Sequence, residues 1–212
     1  MEVYMKKTLL SFLLAAFTSV TSYAGDIIDE WSDVIAPAAP KLSEVEASAS
    51  DTALLILDIE ERTCNADRRP RCLDTVPAIA ALMKKAREAG MTVLYSTTSK
   101  GTPETILPPV RPLEGEHVVK SSVNKFYGTD LDTELKKRNI KNVIVTGTAA
   151  HGAVLHTATA ASYMGYKVIA PVDCLSAAEL YTEQATVWNL ATGPANRNST
   201  TLTKSGMIKI TK

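Results

Sequence analysis

The chain has 212 residues, 45% of them apolar, with 23 Lys plus Arg against 23 Asp plus Glu. That is ordinary globular composition, long enough for one domain with a full core, so disordered and fibrous classes are excluded. A formal net charge of zero lacks the concentrated positive field that nucleic acid or an anionic membrane surface requires of a partner.

Lys6 and Lys7 precede the apolar run TLLSFLLAAFTSV, and Ser22-Tyr23-Ala24 supplies the small residues that a signal peptidase accepts. The run is shorter than the roughly 20 residues of a membrane-spanning helix. The pattern therefore predicts a signal peptide over residues 1–24, cleaved after Ala24. Removing it takes away Lys6, Lys7 and Glu2 and leaves 21 basic and 22 acidic side chains. The expected product is periplasmic or secreted, with no membrane attachment after cleavage and with its cysteines in an oxidising compartment. Residues 25–50, with Pro37 and Pro40 among small and polar residues, read as an N-terminal arm without a core strand. A single domain is expected over 51–212.

That domain opens on Leu54-Leu55-Ile56-Leu57, a continuous apolar run of the kind found in a parallel strand covered on both faces, with Asp58 at its carboxyl end. The loop TCNADRRPRC follows. Cys64 and Cys72 lie close together in it while Cys174 stands alone, which makes Cys64–Cys72 the leading disulfide pairing. A reactive free thiol or a metal pair are the alternatives, and no His accompanies these cysteines at metal-ligand spacing. Arg68, Arg69 and Arg71 in the same loop fit either a solvated surface or a bidentate clamp on an anionic substrate.

Further along, Val76, Ile79, Ala80, Met83 and Ala86 share one face of a helix over 74–89 that stops at Gly90. MTVLYS is the next strand. A proline-rich loop leads to the short strand EHVVKSS, which carries Lys120. A helix over DLDTELKKRN, the strand NVIVTG, a helix over AVLHTATAASYMG, the strand YKVIAPVD and a helix over AAELYTEQATVWNLATG complete the alternation, and the tail STTLTKSGMIKI offers one edge strand. Strands alternating with helices predict an α/β fold, a doubly wound, mainly parallel sheet with helices on both faces. Chemistry in such sheets gathers at the carboxyl ends of the strands. Asp58, Lys120 and the strand-to-helix elbow TGTAAHGAVLHTA fall there.

Taken together, ALLILDIEE, VVKSSVNKFYGTDLDTELKKRNIKNVIVTG and TAAHGAVLHTATAASYMGYKVIAPVDCLSA resemble the isochorismatase-like, or cysteine hydrolase, superfamily across nearly the whole domain. The resemblance implies a Rossmann-like three-layer architecture. In the amidase members, nicotinamidases and N-carbamoylsarcosine amidohydrolases, an Asp, a Lys and a nucleophilic Cys act together, and those positions correspond to Asp58, Lys120 and Ala153. The thiol is missing, and a methyl group forms no acyl-enzyme.

True isochorismatases are the second comparison. Their elbow carries Ala-His followed by a small residue, as Ala150-His151-Gly152-Ala153 does here, and the resemblance implies vinyl-ether cleavage without covalent catalysis. Protonating the vinyl carbon needs a general acid and water only. Asp58 is the expected acid and Lys120 the group that holds and tunes it. The family's non-proline cis peptide maps to Thr148-Ala149, aiming the N–H groups of Ala149 and Ala153 inward as donors. Phe126 is an expected pocket residue. His151 either faces substrate or fills the turn.

Several departures stand out. Glu60 replaces the family's Gln two residues after the Asp, export is unusual for isochorismatase biosynthetic roles, and the nicotinamidase histidine cluster is missing, so neither metal nor other cofactor is expected. His156 reads as a packed helical residue. Trp188, Tyr181 and Leu190 on the last long helix read as core or as contact with another copy of the chain. Two functions remain: an exported hydrolase acting on a small molecule through Asp58 and Lys120 without a covalent cysteine intermediate, or a catalytically lapsed periplasmic binding protein that keeps the pocket.

Overall fold

The computed structural model describes residues 25–212, so the signal peptide expected over 1–24 lies outside the described residues. The chain divides into two compact units at Ala38/Ala39. In the first, residues 27–32 form a turn in which Asp26 Oδ1 accepts the N–H groups of Ile28 and Asp29 at 2.7 and 3.0 Å.

The second unit, Ala39–Lys212, is built on a seven-stranded parallel sheet. Its strands are β2 (Thr52–Leu57), β3 (Thr92–Thr97), β4 (His117–Lys120), β5 (Asn142–Thr148), β6 (Lys167–Pro171), β7 (Leu175–Ser176) and β8 (Thr200–Thr203), in the order β4-β3-β2-β5-β6-β8 with β7 beside β5. The helices α1 (Pro70–Glu88), α2 (Leu131–Lys137), α3 (Leu155–Tyr163) and α4 (Leu180–Thr192) connect them. All six residues of β2 are buried, and they divide between two cores. Leu55 and Leu57 pack with Val143, Val145 and Ala158 on one face, while Leu54 and Ile56 pack with Ile79, Leu82 and Cys72 on the other. This two-sided burial is why the strand shows no polar alternation. The expected α/β fold is therefore observed.

Three local readings change. Val45–Ser48, inside the stretch expected to be a strandless arm, forms β1, which pairs in parallel with β9 (Ile208–Thr211) in a separate two-stranded sheet. The tail thus makes two strands, β8 in the main sheet and β9 on β1. Helix α1 begins at Pro70, four residues before the expected start. Proline suits the first helical position because its fixed φ is already helical and the N–H it lacks has no partner there.

Cys64 and Cys72 are disulfide-bonded, with Cα atoms 5.3 Å apart, and both are buried. The bond ties the turn after β2 to the first turn of α1. Closing so short a loop limits the unfolded chain and contributes about 2–3 kcal/mol in the chain-entropy account. Cys174 is free and buried, and burial pushes its thiol well above the ordinary range. Protein folded under oxidising conditions is therefore expected to show no reactive thiol when native and one when denatured. The double variant Cys64→Ala, Cys72→Ala should lose about 2–3 kcal/mol in urea unfolding; an unchanged midpoint would remove the bridge from the stability account.

Candidate functional site

Strand β2 ends at Asp58, whose backbone lies in the left-handed region at φ 54°, a conformation Asp tolerates better than most residues. The backbone is held on both sides. Its N–H donates to Ser96 O at 3.1 Å, and its carbonyl accepts the Thr63 hydroxyl. The carboxyl group is nearly sealed. Oδ1 accepts from Ser96 Oγ at 2.7 Å, and Oδ2 meets Lys125 Nζ at 2.8 Å.

Lys125 has no exposed surface. Besides Asp58, its Nζ donates to Ser122 O at 2.7 Å and Ser121 O at 3.2 Å, so each of the three ammonium protons has an acceptor. Its backbone is fixed as well, the N–H donating to Thr157 Oγ1 on α3 at 3.1 Å and the carbonyl accepting from Thr129 Oγ1. Burial pushes the Asp58 pKa above the ordinary carboxylate range, with a smaller contribution from Glu60 in the same direction. The charge and hydrogen bond of Lys125 and the Ser96 hydroxyl oppose the rise without cancelling it.

The lysine expected beside Asp58 was Lys120, and this is corrected. Lys120 is the exposed last residue of edge strand β4 and lines a surface depression with His117, Thr129 and Asp130. The chain turns back after Lys120, and the loop that follows carries Lys125 inward. A signal for this was present: Lys125 is followed directly by Phe126, whereas Lys120 is followed by two serines. Phe126 is buried and stacks on Tyr166 with ring centroids 6.0 Å apart, anchoring the loop in the core. Ser96 and Thr63 were also missed, because a hydroxyl in a strand or turn carries no distinctive pattern.

Glu60 is fully buried. It accepts from the hydroxyls of Thr98 at 2.6 Å and Thr105 at 3.2 Å, tying the loop after β3 to the turn that follows β2. Gly101 passes so close that an added Cβ would stand 1.8 Å from Glu60 Oε2.

Strand β5, the neighbour of β2, ends in the elbow. Gly147, at φ 123°, lies against Leu57 so closely that a Cβ would come within 2.1 Å of its carbonyl oxygen. Only glycine permits that approach of the two strand ends. The Thr148–Ala149 peptide is cis. A turn of π-helix over Ala150–Val154 leads into α3. Ala149, Ala150 and Ala153 are buried, and Ala153 belongs to the same apolar cluster as Leu57 and Phe126. His151 is exposed, and so is His156, which was expected to pack. Leu190 is buried in the core, whereas Trp188 and Tyr181 are exposed. Among the described residues, no group of three or more His, Cys, Asp or Glu is arranged to hold a metal ion. No described helix is long and apolar enough to cross a membrane.

The isochorismatase domain matches residues 52–204. The chain belongs to the isochorismatase family. An isochorismatase family protein of Bacillus subtilis, YaaI, is 26% identical over 149 residues, which covers 61% of this chain and 82% of that protein. A secreted isochorismatase effector of Verticillium dahliae, Isc1, is 28% identical over 141 residues, covering 61% and 74%. Among solved structures, an isochorismatase family protein of Desulfovibrio vulgaris superposes with a TM-score of 0.67 at 22% identity, over 74% of this chain and 95% of that one. The fold is thus that of a family of small-molecule hydrolases.

The two lysines should separate sharply in stability. Lys125→Met leaves Asp58 buried without its partner and is expected to cost about 3–5 kcal/mol at neutral pH. That cost should shrink as pH falls, because a protonated Asp58 no longer needs a counter-charge. Lys120→Met should stay within about 0.5 kcal/mol of the parent. Denaturant unfolding at two pH values checks both, and equal losses would refute the Lys125 assignment.

Proposed function

We propose that the protein is an exported hydrolase of the isochorismatase family that cleaves a small molecule by proton transfer, with Asp58 as general acid and then base and Lys125 as its positioning partner. The observation that carries this reading is a buried carboxyl with a raised pKa, held at 2.8 Å by an ammonium group, beside an elbow whose buried residue 153 is alanine. In the amidase branch the elbow needs a sulfur at that position. Ala153 offers none, so an acyl-enzyme has no atom to form on. A vinyl ether, or another C–O bond labile to acid, needs no such atom.

Lys125 has all three protons engaged. It therefore does not act as the proton donor; it fixes the Asp58 carboxyl and sets its affinity for the proton. Protonated Asp58 delivers a proton to the substrate carbon, water adds to the resulting oxocarbenium ion, and the carboxylate takes a proton from that water to leave a hemiketal. The hemiketal then collapses, its C–O bond breaking as Asp58 protonates the departing alcohol oxygen and takes up the proton of the new carbonyl, which regenerates the acid. The elbow N–H groups of Ala149 and Ala153 are the proposed donors to a substrate oxygen. Export is supported by the N-terminal pattern and by the Cys64–Cys72 disulfide.

The near-complete burial of the pair, Asp58 at 4% and Lys125 at 0% exposure, favours a second reading in which the protein binds a metabolite without turning it over. Assay of the purified protein against vinyl ethers and against primary amides distinguishes the two. The hydrolase reading expects vinyl-ether turnover that Asp58→Asn lowers by about 10²- to 10⁴-fold, with kcat/KM falling as pH rises through the raised Asp58 pKa, since the acid must carry its proton. Stabilisation by a metabolite without any turnover would support the binding reading.

Ala153→Cys tests the missing nucleophile. The introduced thiol should alkylate faster than Cys174, whose thiol is buried and pushed up by that burial, and vinyl-ether turnover should fall. A thiol at 153 that stayed unreactive in native protein would show that the elbow does not open onto the site.

A further inference from the structure

Arg69 is the residue just before α1, inside the loop closed by Cys64–Cys72. Its side chain is only partly exposed, and its Nη1 donates to Thr63 O at 3.2 Å. Thr63 is the residue whose hydroxyl bonds the Asp58 carbonyl. The guanidinium therefore lies over the turn that leaves Asp58, near enough for the two charges to influence one another.

Three other arginines are matched with acids. Arg71 is bidentate to Glu183, Arg87 to Glu116, and Arg138 pairs with Glu134. Among the described residues Arg62, Arg68, Arg111 and Arg197 have no carboxylate in an ion pair and are exposed, whereas Arg69 has none while partly withdrawn from water. A guanidinium carries five donors in a fixed fork, and one carbonyl bond leaves most of that fork unused.

The loop is also built to keep Arg69 in place. Both cysteines are buried, Arg69 N–H donates to Asn65 O at 2.9 Å, and Asn65 Nδ2 in turn donates to Glu61 O at 2.7 Å. Another polar side chain lies at the same end of the sheet. Ser176, opposite Thr148 of the elbow, is fully buried with no partner for its hydroxyl among the described residues. Its neighbour Ala177 donates its N–H to Glu183, the partner of Arg71.

The geometry points to Arg69 as a specificity-determining residue that receives a carboxylate of the substrate at the edge of the Asp58–Lys125 site. This deepens the hydrolase reading and rests on Asp58 and Lys125 being the reacting centre. The charges agree. Asp58 is paired with Lys125 and is within electrostatic reach of Glu60 and of Arg69, so two carboxyl groups and two cations are gathered here. A carboxylate bound to Arg69 adds one negative charge beside Asp58, which favours its protonated form. Substrate binding thereby loads the proton that the reaction uses.

The test is binding rather than turnover, so it stands apart from the chemistry. Benzoate and succinate, with benzamide and succinamide as uncharged counterparts, are titrated by NMR into the parent protein, Arg69→Gln, Arg69→Lys, Arg68→Gln and Asp58→Asn. Arg68→Gln removes the same charge one residue away, from an exposed side chain that reaches only Arg62 O. At least one acid should bind the parent and Arg68→Gln more tightly than its amide. Arg69→Gln should lose at least tenfold of that affinity, Arg69→Lys should lose part of it, and Asp58→Asn should keep it. Equal binding by parent and Arg69→Gln, or no preference for acid over amide in the parent, would overturn the assignment of Arg69. Carboxylate binding that persists while no vinyl ether is turned over would leave Arg69 standing and remove the hydrolase reading instead.

Discussion

The ion pair between Asp58 and Lys125 is the constraint on which the rest of the site depends. Two opposite charges with 4% and 0% exposure are each expensive to remove from water, and they are tolerable together only if every remaining donor and acceptor is matched. The fold supplies those matches from separate elements: Ser96 from β3, two carbonyls from the loop after β4, and Thr157 of α3 under the lysine backbone. Parallel strands bring their carboxyl ends to one edge, so groups far apart in sequence converge there without long-range threading. Removing the pair would leave the polar lining of that edge without its organising charge.

How the pair behaves follows from competition between burial and charge. Burial favours the protonated form of Asp58, while Lys125 at 2.8 Å favours the ionised form. With burial the larger effect, the carboxyl is held above its ordinary range. That is the property a general acid needs. A lysine free to reorient would be a worse partner, because it could leave the carboxyl during the reaction; the three acceptors around Nζ prevent this.

Much of this was legible in the sequence, and the exceptions have identifiable causes. The unbroken apolar run of β2 and the small residues of the elbow identified the sheet edge, because a strand buried on both faces and a close strand contact at Gly147 each restrict composition strongly. The close spacing of Cys64 and Cys72 pointed to their pairing for a similarly local reason. The choice between Lys120 and Lys125 was different. Both lie in one short polar stretch, and which one turns inward is decided by the Phe126–Tyr166 contact, made between residues forty apart in sequence. β1 was missed because its partner, β9, is at the other end of the chain. Periodicity reads local geometry well, and it carries little information about such distant pairings. Glu60 was noticed as an extra negative charge, but its two threonine partners lie in a loop about forty residues away.

The central claim is that Asp58 holds a proton more tightly than an ordinary carboxyl while paired with Lys125. Carbon-13 NMR titration of the aspartate carboxyl groups in the native protein, with the Asp58 resonance assigned by its loss in Asp58→Asn, measures this directly. The account predicts a midpoint above the ordinary value of about 3.9. A carboxyl that ionised at or below that value would be a fixed counter-ion for Lys125, and the proton-transfer role assigned to Asp58 would be contradicted.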